Sequence, residues 1–198
     1  MDTKGYHIIL GSGSPRRKEL LGELGFEFEV DTRNTFEEVY SEDTPQERIP
    51  EVLSEGKSLG FHRNLTENEI LITSDTLVLC EGRVMGKPRN REDAVDMLKA
   101  LSGKSHKVIT AVTMRDSKGM KTVSDTALVH FKELKDSEID YYIDNYRPFD
   151  KAGAYGIQEW IGYIGIDRIE GSYFTIMGLP VHLTYDLITE FIGLNFVD

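Results

Sequence analysis

Asp75 interrupts an otherwise apolar run, Ile70-Leu71-Ile72-Thr73-Ser74-Asp75-Thr76-Leu77-Val78-Leu79. A carboxylate buried there without partners costs several kcal/mol, so such a residue is usually paired or bound to metal. A metal-bound Asp75 could orient or deprotonate a water; the plainer reading is an aspartate at a strand end that caps a turn. Upstream, Gly11-Ser12-Gly13-Ser14-Pro15-Arg16-Arg17 lies where a strand-like run gives way to a helical one. Small residues let backbone approach a ligand, N–H groups at a helix start favour anions, and two arginines can grip phosphate oxygens bidentately. The motif is not a P-loop, which ends in Gly-Lys-Ser/Thr. Nor is it the dinucleotide fingerprint, because Arg16 stands at the third glycine position. A capped helix with exposed arginines is the alternative.

Two further segments carry cations among small residues. Lys87, between Gly86 and Pro88, could serve as a phosphate point charge, although most such surface turns do nothing chemical. In Lys151-Ala152-Gly153-Ala154-Tyr155-Gly156-Ile157-Gln158, Lys151 could reach phosphate and Tyr155 could pack on a sugar or base. The Gln158 amide has both a donor and an acceptor, which suits the N3–H and a carbonyl of uracil or thymine. The alternative is a bulged strand whose glycines serve only geometry. Glu37, Glu38 and Lys57 are weaker signals, since charge runs usually mark a solvated face. Cys80 has no local partner and reads as core. The histidines show no metal-ligand spacing.

The elements that must position these residues alternate. Residues 6–10 read as a strand, 16–24 as a helix with Ser14 as N-cap, Pro15 at the first helical position and Gly25 just past the end, and 26–30 as a strand. Residues 46–61 are weakly helical, 70–79 a strand, and 91–101 an amphipathic helix capped by Asn90. Strands follow at 107–114 and 121–131 around an Asp116–Gly119 turn, then a helix at 136–146 closed by Pro148. Short strands are predicted at 163–169 and 173–176, and a terminal helix at 181–192. This alternation indicates α/β architecture without a flexible linker.

With 198 residues the chain fits one domain or two closely packed lobes. The net charge of -11 disfavours binding to nucleic acid, which normally shows a basic patch. No segment approaches the roughly 20 apolar residues needed to cross a membrane. With one cysteine and no secretory leader, a cytoplasmic location is expected.

In their order, Ser12-Gly13-Ser14-Pro15-Arg16-Arg17, Ser74-Asp75-Thr76, Gly86-Lys87-Pro88, Leu101-Ser102-Gly103 with His106, and Gly178-Leu179-Pro180 resemble the Maf family of nucleoside triphosphate pyrophosphatases. The family is also called septum formation inhibitor proteins, and the match runs from Ile8 to about Leu187. The resemblance implies a single Maf-like α/β domain over residues 1–198. Its fold would be an elongated mixed sheet flanked by helices, in two lobes with a central cleft, like inosine triphosphate pyrophosphatases. It also implies a homodimer, a divalent cation (Mg²⁺ or Mn²⁺), and hydrolysis of a nucleoside triphosphate to monophosphate and pyrophosphate. By position, Asp75 matches the catalytic acid and a metal ligand, and Glu38 an acidic residue near the metal. Ser12 falls in the opening signature and is assigned to substrate. Arg16, Thr76 and Gln158 match specificity positions, and Arg17, Lys57 and Lys87 phosphate contacts.

The segment ending in Gln158 looks like the branch that hydrolyses dTTP and UTP; the 7-methyl-GTP branch carries a glutamate there. A purine-selective pyrophosphatase and a nucleotide-binding regulator of cell division are the competing readings. Ser54-Glu55-Gly56-Lys57-Ser58 departs from the family, which usually shows alanines around its lysine, and Ser74 replaces a common alanine.

Overall fold

The computed structural model describes residues 1–193. Strand β1 (His7–Leu10) leads into helix α1 (Pro15–Glu23), whose N-cap is Ser14, with its Oγ 3.4 Å from Arg17 N. Gly25, at φ +77, turns the chain into β2 (Phe28–Val30). A long excursion ends in a 3-10 turn (Gln46–Arg48) and α2 (Ile49–Leu59). The apolar run around Asp75 forms β3 (Glu69–Cys80), which turns back through Glu81 and Gly82 into β4 (Arg83–Met85). Both turn residues have positive φ (49° and 77°), as tight two-residue hairpins demand. Then come α3 (Arg91–Leu101), β5 (Ser105–Arg115), β6 (Met120–Phe131) and α4 (Asp136–Tyr146). The chain continues through α5 (Trp160–Gly165), β7 (Ile166–Glu170), α6 (Tyr173–Met177) and α7 (Val181–Ile192).

Among the described residues seven strands make one mixed sheet, ordered β2-β1-β3-β5-β6-β7, with β4 paired to β3. β1 runs parallel to both β2 and β3, whereas β3–β4 and β6–β7 are antiparallel. This is the α/β fold, a mixed sheet flanked by helices, that the sequence implies.

The chain divides into two compact units. One takes in Met1–Asp75, Thr110–Asp125 and the described residues from Gly178 onward; the other takes in Thr76–Ile109 and Thr126–Met177. In the first, Ile9, Phe61, Leu65 and Leu71 form a buried apolar cluster. In the second, α3 and α4 bury Met97, Leu98, Leu101, Ile139 and Ile143 with Val78, Val129 and Phe131. Arg91 ties these helices together, its guanidinium reaching Asp140 at 2.8 Å and Asp144 at 2.9 Å.

Two expectations and one alternative reading need correction. Residues 173–176 are helical, in α6, because an apolar aromatic run this short fits either state; Gly178, at φ +107, follows the helix. The segment 163–169 is divided between α5 and β7. Gly162 permits that helix: a Cβ there would lie 1.9 Å from Ile157 O. The Lys151–Gln158 segment is not a bulged strand but a turn, with Gly153 at φ +69 and Ala154 at φ +59.

Candidate active site

The structure pairs Asp75, which is half-buried. Its side chain is 14% exposed, and Oδ1 accepts from Lys57 Nζ at 2.6 Å. The same ammonium lies 2.9 Å from Glu38 Oε1. One cation thus joins two carboxylates that sequence reasoning could link only by resemblance.

Lys57 belongs to α2, which is fastened against the sheet by the residues that depart from the family's alanines. Ser54 Oγ lies 3.1 Å from Thr73 O and 2.8 Å from Thr113 Oγ1, and Thr73 Oγ1 donates to Ser54 O at 2.8 Å. Ser58 Oγ accepts from Arg115 Nε at 3.1 Å, and Ser58 O from Arg115 Nη2 at 2.7 Å. These hydroxyls are fully buried and satisfied, so the polar substitutions cost the helix little.

Arg17 sits on the first turn of α1. Its Nε donates to Gly178 O at 2.8 Å, and its Nη1 lies 3.3 Å from Ser12 Oγ. Burial pushes its pKa below the ordinary guanidinium value; the Asp75 carboxylate opposes this, Arg16 adds to it, and Glu38 opposes it. Those mutual influences place Arg16, Arg17, Glu38 and Asp75 in one electrostatic neighbourhood. The buried Ser74 hydroxyl also points to Gly178 O, at 3.4 Å. The role of Gly178 is therefore carried by its carbonyl, which orients Arg17. Gly11 serves packing: a Cβ there would lie 2.9 Å from Thr73 Cγ2.

Thr76, Lys87 and Gln158 belong to the second unit. Thr76 is half-buried on β3, and Lys87 is exposed beyond β4. The adjoining Gly86 O accepts from Gly153 N at 3.1 Å, which joins the Lys87 turn to the segment carrying Gln158. Gln158 is half-buried between buried Ile157 and Glu159, the N-cap of α5. Lys151, weighed as a phosphate contact, is instead buried and ion-paired to Asp150 at 2.7 Å and Glu159 at 3.0 Å. Glu159 also accepts from the Tyr142 hydroxyl, which itself accepts from Gly156 N at 3.0 Å. Tyr155, weighed as a platform for sugar or base, is core: it is 5% exposed, hydrogen-bonded to His106 Nε2 at 2.7 Å and edge-on to Phe131.

Among the described residues no group of three or more His, Cys, Asp or Glu side chains is arranged to hold a metal ion. A two-carboxylate set still fits a hard divalent cation, because Mg²⁺ is commonly held by one or two carboxylates with substrate phosphates completing its shell. Glu38 and Asp75 already converge on a cation, the Lys57 ammonium.

Arginine, lysine and paired carboxylates on a mixed α/β sheet define a protein built to handle a polyanion. The chain belongs to the Maf-like protein family, whose model matches residues 7–191. It is 46% identical over 192 residues to a dTTP/UTP pyrophosphatase of Porphyromonas gingivalis, covering 96% of each chain. It is 50% identical over 180 residues to one of Phocaeicola vulgatus, covering 91% of this chain and 93% of the relative. With one of Flavobacterium johnsoniae it shares 44% identity over 189 residues, 96% of this chain and 97% of the relative.

Proposed function

We propose that this protein is a nucleoside triphosphate pyrophosphatase that hydrolyses dTTP and UTP to the monophosphate and pyrophosphate. The observation that carries the reading is the Lys57 ammonium bridging Asp75 and Glu38, with Arg17 held nearby by Gly178. The names of its relatives, dTTP/UTP pyrophosphatases over nearly the whole chain, support the substrate.

Water attacks the α-phosphorus, the bond from that phosphorus to the α–β bridging oxygen breaks, and pyrophosphate departs with the bond's electron pair. Asp75 accepts the proton from the attacking water. Lys57 and Arg17 offset charge on the phosphates, the positioning and electrostatics on which phosphoryl chemistry mainly depends. A bound Mg²⁺ or Mn²⁺, held by Asp75 and Glu38, would supply further charge neutralisation and a lowered pKa for the nucleophilic water. The Gln158 amide can donate to a pyrimidine carbonyl and accept from N3–H. The same reading carries a homodimer and a cytoplasmic location, which light scattering and cell fractionation test.

Asp75→Asn should lower turnover by ~100-fold or more while nucleotide binding survives. Pyrophosphate release from dTTP and UTP, measured against ITP, XTP and 7-methyl-GTP, tests reaction and base preference together. Full activity of Asp75→Asn would sink the assignment, and preference for the purines would sink the substrate.

A further inference from the structure

We propose that Phe36 is a positioning residue. Its ring rests on the bare backbone of α2 at Gly56 and thereby holds Glu38 against Lys57. The proposal rests on the reading of Glu38 as part of the reactive site, and it deepens that reading.

Two glycines about one helical turn apart, Gly56 within α2 and Gly60 at its C-cap, flank Lys57. Neither has a positive φ, so backbone freedom does not call for glycine at either position. Space does. A Cβ at Gly56 would lie 2.2 Å from Phe36 Cζ and 2.3 Å from Phe36 Cε2, distances no real pair of carbons adopts. A Cβ at Gly60 would lie 2.6 Å from Asn34 Oδ1 and 2.8 Å from Phe36 N. The chain at residues 34–36 thus lies directly on the helix.

Hydrogen bonds fix it there. Asn34 Nδ2 donates to Lys57 O at 2.6 Å, and Asn34 Oδ1 accepts from Phe36 N at 2.8 Å. Thr35 N donates to Gly60 O at 2.9 Å. Two residues beyond Phe36, Glu38 meets Lys57 at 2.9 Å although its side chain is 59% exposed. Glu38 lies in a segment without helix or strand, so the anchoring of that segment bears on where its carboxylate sits. Its placement is inherited from the ring two residues earlier, and Gly56 is what admits that ring.

The test is a double-mutant cycle of Gly56→Ala with Glu38→Gln, read by dTTP turnover, thermal unfolding and the crystal structure of Gly56→Ala. Alanine is the better helix former but must displace the Phe36 ring, so the two effects oppose each other and the melting temperature of Gly56→Ala should change little. Turnover should fall by at least about tenfold, since misplacement by ~1 Å can cost ~100-fold. The double variant should be no worse than Glu38→Gln alone, because both changes act through one carboxylate. Phe36→Leu, which removes the ring atoms nearest the new methyl, should restore part of the Gly56→Ala loss.

The proposal is overturned if Glu38 stays on Lys57 in the Gly56→Ala structure. It is equally overturned if the two losses multiply. Full activity of Glu38→Gln, together with Glu38 parted from Lys57 in Gly56→Ala, would leave the seat standing and remove Glu38 from the reaction.

Discussion

Lys57 and Arg17 show how much of this chemistry depends on single side chains holding two partners. A lysine can bridge Asp75 and Glu38 because an ammonium is a compact charge with three donors. Arg17 needs a fork instead: Nε reaches Gly178 O while Nη1 reaches Ser12. Arg17→Lys keeps the charge but cannot make both contacts, and it leaves Gly178 O short of its best donor. It should lower kcat/KM for dTTP by roughly tenfold and destabilise the fold by about 1–2 kcal/mol, measured by steady-state kinetics and urea unfolding. At this scale the sequence was informative about Asp75, since a carboxylate inside an apolar run needs a partner. It marked Gly178 as part of a motif at a turn but was silent about its contact, a carbonyl that receives the Arg17 guanidinium. It was also silent about Phe36, because an aromatic residue in an acidic stretch carries no sign of the helix it lies on.

Among the elements, α3, α4 and α7 have the bounds that apolar periodicity and capping predict, because each is long enough for a 3.6-residue period to show. β4 and α6 escape that logic. Each has too few residues for any period, and tertiary pairing or glycine turns decide its state. The turn carrying Gln158 was equally illegible, since what shapes it is a polar network drawn from elsewhere in its unit. Tyr142 is fully buried on α4, and its hydroxyl bridges Gly156 N and Glu159, the residues on either side of Ile157 and Gln158. Burial, then the bond to Glu159, pushes the Tyr142 pKa well above the usual phenol value, so this hydroxyl remains a donor. Tyr142→Phe leaves Gly156 N without this acceptor and Glu159 without this donor. The expected outcome is a KM for UTP and dTTP raised by about fivefold to tenfold with kcat little changed, and weaker discrimination against CTP. Unchanged KM and discrimination would separate the network from Gln158.

For the molecule as a whole, acid sensitivity has an identifiable buried source. His106 is 1% exposed, stacked on Phe131 at 5.5 Å, with Nε2 on Tyr155 and Nδ1 buried without a partner. Burial, with a smaller contribution from His130, depresses its pKa from the ordinary 6.5 to about 4. The folded ring is therefore neutral where the unfolded one takes up a proton. Stability from this residue is complete above pH 6.5 and drains away as pH falls toward 4, by about 3 kcal/mol in all. Thermal melts across that range should show a steeper decline for the native protein than for His106→Gln, whose amide can still meet Tyr155; parallel curves would refute the source. The outermost strands have a different consequence. β2 is three residues long, and β7 exposes Asp167, Arg168 and Glu170. A stray extended chain meets a very short template at one margin and alternating charge at the other, so fibril-like stacking has little on which to nucleate.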